Sequence, residues 1–366
     1  MKSRLQRELE STIGSTSDRL VWARSMCRLA LHFARQGERE EALKAIGTVR
    51  ASLGTELDAD TAAFLILAEG VLNFCKGDLV AAVDRLRRAY AIANALQGRL
   101  AKPICAAWLA LMALNTRRFE DVAPFTREAL TLAAPDDYQA RARASLVLAD
   151  AFAYSGRFDL ARPWYEKARL HATSEGDEAT VSAMLHNVAA FRAANVRLAD
   201  ALGTGLPEDA RRAAMEAASA EAYDRAIGTK SFGAFLPHVN EQLLIVEKRY
   251  AEALIQLNKI GVVDLPTRVH AVHYADHATC AFAMGDGSLA AELCQSALGA
   301  LQEFTMDPDD IAYVSSRLAM IYKESGNDRL ADELLSRASD AIAEHRYIQA
   351  NLFDHLMKLT ASLPVT

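Results

Sequence analysis

The chain has 366 residues, of which 51% are hydrophobic and 24% are charged, and its net charge at pH 7 is −6. This length can bury one or more real cores, and the acidic balance lacks the basic stripe of most nucleic-acid-binding proteins. The first residues, MKSRLQRELESTIGS, are charged and lack the apolar core of a signal peptide. The longest apolar run, ICAAWLALMAL at 104–114, is shorter than the roughly 20 residues of a membrane helix. The five cysteines are scattered without a CxxC motif, as is typical of free thiols in a reducing compartment. We therefore expect a cytoplasmic protein with neither a membrane nor nucleic acid as a direct partner.

A turn recurs along the chain at nearly constant intervals. A small residue usually stands seven positions before each turn and an alanine five positions after it, as Ala149 and Ala161 do around Gly156. Small side chains at fixed offsets let two helices approach closely, and glycine ends a helix by adopting the left-handed backbone. An ordinary helical bundle would explain the helices but not a register kept over eight turns, so the pattern predicts eight antiparallel helix pairs. The predicted turns are centred on Gly37, Gly77, Arg117, Gly156, Val196, Lys248, Gly285 and Gly326.

The register breaks once, between the fifth and sixth turns. Their spacing is 52 residues, whereas the other spacings are 37 to 41, and Gly203, Gly205 and Pro207 lie in the gap. This predicts an irregular fifth repeat with an insertion at about 200–228. The insertion is either a lid or hinge, or a surface addition that costs little.

The two ends of the chain are expected to cover the ends of the stack, because terminal repeats would otherwise expose apolar surface. The segment RYIQANLFDHLMKLTASL continues an apolar helical pattern and predicts a capping helix at about 346–361. Residues 2–12 are a candidate for the same role at the other end.

The turn-centred signature G-x-F/Y/L-x-x-A resembles the tetratricopeptide repeat. The match is good in LADAFAYSGRFDLARPWYEKA and LAMIYKESGNDRLADELLSRA. A period near 40 residues, instead of about 34, resembles the longer repeats of maltose-regulator-type sensor domains and kinesin light chains. The resemblance implies an all-α fold: one α-solenoid over residues 1–366, a right-handed superhelix of about eight helix-turn-helix repeats plus the C-terminal capping helix.

In tetratricopeptide arrays the first helix of each pair lines a concave groove, and the resemblance carries this expectation to the present chain. The corresponding residues are apolar in the second and third repeats and mostly polar afterwards, which suits a peptide or an amphipathic helix. The alternative is that long helices curl tightly and these residues pack on one another. The predicted groove residues are Phe64, Leu67, Val71, Phe74, Ile104, Leu111, Leu114, Arg143, Asp150, Tyr154, His186, Phe235, His238 and Gln242.

One cluster resembles a metal site. In HAVHYADHATC, His273 and His277 are four residues apart, with His270 and Cys280 nearby, and zinc takes such ligands. However, His277 stands at a position that holds leucine in several other repeats, which favours a hydrogen-bonded interior histidine. No nucleophile motif, Walker loop or GxGxxG is present, so we predict no metal, no cofactor and no catalysis.

Repeat arrays build long surfaces more readily than reaction centres, so the sequence favours a non-catalytic interaction module for a protein or peptide segment. The alternative is a ligand-sensing regulatory domain of a bacterial signalling or transcription-control system, which would bind a small-molecule signal. The basic and amide positions with which some tetratricopeptide proteins hold chaperone C-termini do not occur together, so chaperone binding is not predicted.

Overall fold

The computed structural model describes residues 2–53, 57–229, 235–262 and 265–360. In these ranges the regular structure is helical and contains no strand. A short 3-10 turn at Thr267–Val269 precedes one of the helices. The α-helices are α1 (Arg4–Ser15), α2 (Arg19–Gln36), α3 (Arg39–Leu53), α4 (Ala59–Cys75), α5 (Leu79–Ala95), α6 (Ala101–Asn115), α7 (Phe119–Leu132), α8 (Tyr138–Tyr154), α9 (Phe158–Glu175), α10 (Glu178–Ala201), α11 (Pro207–Ile227), α12 (Phe235–Val246), α13 (Tyr250–Leu257), α14 (His270–Ala283), α15 (Gly287–Glu303), α16 (Pro308–Glu324) and α17 (Asp328–Thr360).

From α2 onwards the helices of the described ranges follow one another as eight pairs, from α2 with α3 to α16 with α17. Partners contact each other in the four pairs from α2–α3 to α8–α9 and in α12–α13 and α14–α15. Neighbouring first helices also contact each other, as α2 does α4, α4 does α6 and α6 does α8. The same arrangement recurs where α14 contacts both α15 and α16. The predicted all-α solenoid is confirmed. In the described ranges, no helix is both long enough and apolar enough to cross a membrane.

Left-handed turns separate the helices of most pairs at the predicted positions. Seven of the eight predicted turn residues have positive φ, between 57° and 86°. At Gly156 the chain reverses with two hydrogen bonds: the Gly156 and Arg157 N–H groups donate to the Ala153 and Phe152 carbonyl oxygens at 3.0 and 2.9 Å. These bonds satisfy carbonyls that the end of a helix leaves unpaired.

The fifth predicted turn is wrong. Val196 lies inside α10, and the chain turns instead at Gly203, whose φ is 72°. A β-branched residue is strongly disfavoured in the left-handed region, whereas glycine enters it freely. The predicted insertion at 200–228 is therefore mainly α11, the second helix of the fifth pair. The extra residues lengthen this pair, whose helices have 24 and 21 residues.

The small residues at fixed offsets are buried contact points, as the repeat pattern predicts. Ala149 and Ala161 are both fully buried. At Gly70 the helices approach so closely that an added Cβ would lie 2.9 Å from Leu86 Cγ. The sixth pair breaks this rule, because the fully buried residue seven positions before its turn is Glu241.

The chain divides into two compact units. Unit 1 comprises Met1–Met184, Tyr223–Ser231 and Asn351–Thr366, and unit 2 comprises Leu185–Ala222 and Phe232–Ala350. A single domain over residues 1–366 stays a prediction.

The C-terminal segment that was predicted as a capping helix is the end of a longer helix. Residues 346–360 are helical, but they continue α17 without a break, so this helix has 33 residues. Its last part is anchored in unit 1, where Leu352 and Leu356 are fully buried and the Arg157 guanidinium lies 4.9 Å from the centre of the Phe353 ring.

Candidate functional site

A cavity of about 590 Å³ lies in unit 1, among the first turns of α2, α4 and α6 and the turn that precedes α8. We call it the first-helix cavity. Phe64 and Ile104, two predicted groove residues, line one wall. Leu100 and Leu132 line it as well, and they are 56% and 46% exposed. The cavity therefore offers an apolar wall that the described residues of unit 1 do not cover completely.

Charged side chains line the rest of the first-helix cavity. Arg28 pairs with Glu175 at 2.5 Å. Asp137 caps α8 by accepting a hydrogen bond from the Ala140 N–H at 3.1 Å, and burial raises its pKa. Asp136 lies beside it on the same rim. Both signs of charge thus surround the apolar wall.

A smaller cavity of about 420 Å³ adjoins the first and shares Arg28, Asp136, Tyr138 and Glu175 with it. Helix α1 forms its other wall through Leu5 and Leu9. The two cavities together run along the first-helix side of unit 1.

Helix α1 is held by the first and fourth helix pairs. It contacts α2 along its length, and the Leu5 N–H donates to the Gly176 carbonyl at 3.2 Å. The Arg4 guanidinium donates to the Thr173 carbonyl at the end of α9 at 2.9 Å, a favourable place for a cation. Gly176 has a φ of 76°, and a Cβ there would lie 2.7 Å from Arg4 Nε. Residues 2–12 thus do more than cover the first pair, since they also tie it to α9.

Deeper in unit 1, a buried ion pair joins α2 to the start of α10. Arg35 Nη1 donates to Asp177 Oδ2 at 2.6 Å and to Thr180 Oγ1 at 2.7 Å. Burial acts to raise the pKa of Asp177, but Arg35 outweighs it and holds this pKa well below its ordinary value. The neighbouring His32 lies 3.0 Å from Ser3 Oγ, and burial lowers its pKa to about 4.

Arg143, another predicted groove residue, has a different environment. Its guanidinium stacks on Trp108, 4.3 Å from the ring centre, and Phe74 meets the same ring edge-on at 5.8 Å. Only 7% of Arg143 is exposed. Burial, with Arg35 nearby, lowers its pKa to about 10. The structure thus brings together Phe74 and Arg143 through a tryptophan that the prediction did not include.

The remaining predicted residues of unit 1 are interior. Leu67 and Val71 are fully buried, and Leu111 is nearly so. Asp150 accepts a hydrogen bond from the Tyr165 hydroxyl at 2.9 Å. Two partly buried side chains complete this set, Leu114 and Tyr154.

In unit 2 the predicted residues belong to a separate polar cluster. His238 Nδ1 lies 2.9 Å from Glu241 Oε1, and Gln242 Nε2 lies 3.1 Å from His238 Nε2. Burial raises the pKa of Glu241 well above its ordinary value and lowers that of His238 to about 4. His186 is buried, and the side chain of Phe235 lies outside the described residues.

Two arginines of unit 2 are neutralised within that cluster. Arg197 pairs with Asp310 and lies 4.6 Å from the centre of the Tyr313 ring. Arg317 pairs with Asp200 at 2.5 Å. Each of these guanidinium groups therefore has a carboxylate of the same unit as its ion-pair partner.

The comparisons with known proteins concern the fold. No protein-family model matches the chain, and no curated protein matches it. The solved structure of a Rap protein complexed with competence and sporulation factor is similar to it, with a TM-score of 0.58, 12% identity, and coverage of 94% of this chain and 92% of that one. The chain shares its helical fold with this Rap protein.

Two further solved structures are similar at lower scores. The apo form of RapI has a TM-score of 0.49 and 14% identity, with coverage of 93% of this chain and 91% of that one. A tetratricopeptide repeat protein from Parabacteroides merdae has a TM-score of 0.37 and 13% identity, with coverage of 76% and 99%. The more specific resemblance to maltose-regulator and kinesin light chain repeats stays a prediction.

The histidine-rich segment forms most of helix α14. The His270 ring lies 3.0 Å from the Leu265 carbonyl oxygen, and the His273 and His277 ring centres are 6.2 Å apart. Burial lowers the pKa of His273 to about 4 and raises that of Cys280. Over the ranges that the structure describes, no group of three or more His, Cys, Asp or Glu side chains is placed to hold a metal ion.

The contribution of α2 and of the turns to this site was not predicted from the sequence. Arg24 and Arg28 line the cavity, and with Arg35 they recur at near-helical intervals along α2, a signal that the printed sequence contains. Leu100 directly precedes α6, and Leu132 is the last residue of α7. Because the prediction used positions within first helices, it did not include them.

Proposed function

We propose that the chain is a non-catalytic binding module that holds a peptide or protein segment in the first-helix cavity of unit 1. The observation that carries this proposal is the exposed apolar wall formed by Leu100 and Leu132 above Phe64 and Ile104. A volume of about 590 Å³ falls in the usual range of ligand pockets, and apolar anchors supply most of the affinity of such sites.

The charged rim supports the same role, because a few fixed polar groups set the orientation of a ligand. Arg28 and Glu175 are held together by their ion pair, so both keep a fixed position beside the apolar wall. Asp136 and Asp137 offer further acceptors on the same rim. An extended segment with alternating apolar and polar side chains would match this surface.

The titratable groups beside this region support a binding role over a catalytic one. Burial lowers the pKa of His32 to about 4 and raises that of Cys27 to about 12. Near pH 7 the imidazole is therefore neutral and a poor base, and the thiol is protonated and a poor nucleophile. The Rap protein of similar fold, whose solved structure is a complex with competence and sporulation factor, adds support.

Selection from a library of random 12-residue peptides tests the proposal. The full chain should recover peptides, and introducing Leu100→Glu with Leu132→Glu should weaken their binding at least tenfold, because charge replaces two apolar anchors. The control is Val80→Glu with Leu170→Glu, two exposed apolar residues in the second helices α5 and α9. Equal affinity of all three proteins for the selected peptides, or no peptide selected at all, would overturn the proposal.

A small-molecule signal is the second candidate, and the size and mixed charge of the same cavity favour it. A thermal-shift screen with metabolites and cyclic nucleotides checks this function. Stabilisation that disappears in the Leu100→Glu/Leu132→Glu protein would place the small molecule in the first-helix cavity. No stabilisation by any compound would remove this candidate.

A further inference from the structure

On the first-helix side of unit 1 lie Arg24, Arg28 and Arg35 of α2 and Arg143 of α8, and the exposed Arg99 also lines the cavity. The three arginines of α2 each have a carboxylate partner within 3.1 Å, in the pairs Arg24–Asp58, Arg28–Glu175 and Arg35–Asp177. Arg143 of α8 has no ion pair and no hydrogen bond with any described residue. Among the buried or half-buried arginines Arg24, Arg28, Arg35 and Arg143, only Arg143 thus lacks a described carboxylate within ion-pair distance.

The stack on Trp108 determines which part of the Arg143 guanidinium can still donate hydrogen bonds. The guanidinium is planar, and its N–H donors lie in that plane, so a ring against its face leaves the donors at its edge uncommitted. Such an edge matches a carboxylate with two parallel hydrogen bonds. Because the side chain is almost wholly buried, water compensates its charge poorly, as the lowered pKa of about 10 reflects.

The surrounding charges indicate how much negative charge this position accepts. Arg35, Asp177 and Asp150 all lie close enough to affect the pKa of Arg143. Two cations therefore face two carboxylates before a ligand arrives. A single negative charge can be accommodated beside Arg143, whereas the double charge of a phosphate would be repelled by both aspartates.

The register of the helices relates Arg143 to the first-helix cavity. Gln139 lines the cavity and stands one helical turn before Arg143 on α8, and Ile104 lines it one turn before Trp108 on α6. One turn of helix rises about 5.4 Å. The stacked arginine thus lies beyond the cavity wall by a distance that between one and two residues of extended peptide would span, at about 3.3–3.6 Å per residue.

We infer that Arg143 binds a carboxylate of the ligand, so that the peptide carries an acidic group next to the apolar side chain that fills the first-helix cavity. This inference rests on the proposed function and specifies its ligand. The carboxylate comes either from the C-terminus of the peptide or from an aspartate or glutamate side chain.

A double-mutant cycle on the selected 12-residue peptides tests the inference. Each peptide is synthesised as the free acid, as the C-terminal amide, and with each Asp or Glu replaced by Asn or Gln. Binding to the wild type and to Arg143→Gln is then measured by fluorescence anisotropy. Loss of the engaged carboxylate should weaken binding to the wild type by about 10- to 100-fold, the usual effect of losing a charge-assisted hydrogen bond, and should leave binding to Arg143→Gln unchanged. Sensitivity to amidation identifies the C-terminus, and sensitivity to a side-chain replacement identifies the acidic residue.

Two further variants separate recognition from structure. Arg127→Gln removes an exposed arginine of α7 and should bind every peptide as the wild type does. Arg143→Lys keeps the charge but not the planar fork, so we expect partial affinity that still depends on the carboxylate. Circular dichroism and the thermal midpoint establish that each variant is folded.

The outcomes distinguish this inference from the proposed function. If Arg143→Gln weakens the acid and neutral peptides equally, or weakens neither, the inference is overturned while the effect of Leu100→Glu/Leu132→Glu still supports the cavity. If no peptide binds the wild type, both are overturned.

Discussion

Each unit contains a buried arginine stacked on an aromatic ring, and the two differ in what else they contact. In unit 1 the Arg143 guanidinium lies 4.3 Å from the centre of Trp108, and in unit 2 that of Arg197 lies 4.6 Å from the centre of Tyr313. Arg197 pairs with Asp310, whereas Arg143 has no ion pair with a described residue. The stacked arginine thus has a carboxylate partner within the protein in unit 2, whereas in unit 1 it can pair with a carboxylate of a ligand.

A second difference concerns the residue seven positions before the turn, which is Ala149 in the fourth pair and Glu241 in the sixth. Glu241 is fully buried and is one of the acidic groups near Arg197, whose ion-pair partner is Asp310. Around Arg143, Asp150 and Asp177 are near enough to affect its pKa, but neither forms an ion pair with it. Inside the same repeat fold, a buried arginine can thus be paired directly with a carboxylate or only have carboxylates nearby.

The largest expected effect comes from removing the two stacked arginines in turn. Arg197→Gln should destabilise the protein by about 3–5 kcal/mol, because it leaves the carboxylate of Asp310 buried without its cation. Arg143→Gln should change the free energy of unfolding by less than about 2 kcal/mol, since no ion pair is broken and only the stack on Trp108 is lost. Urea denaturation measures both, and equal losses would contradict the comparison.

The next largest effect is expected at the position seven residues before the turn, which holds an alanine in pairs of both units. Ala149→Leu and Ala278→Leu should each destabilise by about 1–3 kcal/mol, because both alanines are fully buried between helices. Ala218→Leu is the control, as this alanine of α11 is exposed, and its effect should stay within about 0.5 kcal/mol. Losses in urea denaturation as small as the control's would show that the helices do not meet there.

A pH dependence near neutral pH should come from unit 2. Burial and the nearby Glu241 raise the pKa of Asp276 from 3.8 to about 7, and its other neighbours are Tyr313, Arg197 and His238. The folded state thus holds a proton that the unfolded state releases, so this contribution is complete below pH 3.8 and is lost as the pH rises through 7.

Between pH 6 and pH 8 this loss amounts to about 1 kcal/mol. Asp276→Asn keeps an acceptor for the Tyr313 hydroxyl and should make the profile less steep, with the raised pKa of Glu241 accounting for a remaining dependence of the same sign, as thermal denaturation at several pH values can show. His238, with a pKa of about 4, stays neutral over this range and does not mask the effect. Stability that rises from pH 6 to pH 8 would contradict the prediction.

The smallest expected effect tests the corrected turn. Gly203→Ala should destabilise by about 1 kcal/mol, because its φ of 72° strains any residue with a Cβ. Gly14→Ala, inside α1 with open space around it, should stabilise slightly by restricting the unfolded chain. If Gly203→Ala lowered the thermal stability no more than Gly14→Ala does, the turn would have to lie elsewhere.

The sequence could predict the helix pairs because glycine and alanine have direct geometric consequences at turns and contacts. It placed the fifth turn at Val196 because alanines at positions 189 and 201 imitate the pattern around a turn, although valine cannot turn the chain there. Gly203 was the better signal.

The candidate site could be predicted only in part. The prediction from first-helix positions included Phe64, Ile104 and Arg143, because each of them stands at the same distance before the turn of its repeat. They did not reveal that Arg143 lacks an ion-pair partner or that Leu132 borders the same cavity. Pairing and exposure depend on which distant helices meet, and a local periodicity contains no such information.

Nuclear magnetic resonance of the arginine side chains tests the central claim most directly. The Nε–Hε resonances of Arg143 and Arg197 can be assigned from single lysine variants and followed while a selected free-acid peptide is added. We predict that the Arg143 resonance shifts to saturation with the affinity of the peptide, while the Arg197 resonance stays in place. A saturated complex in which Arg143 does not move, or in which Arg197 moves in its stead, would contradict the account.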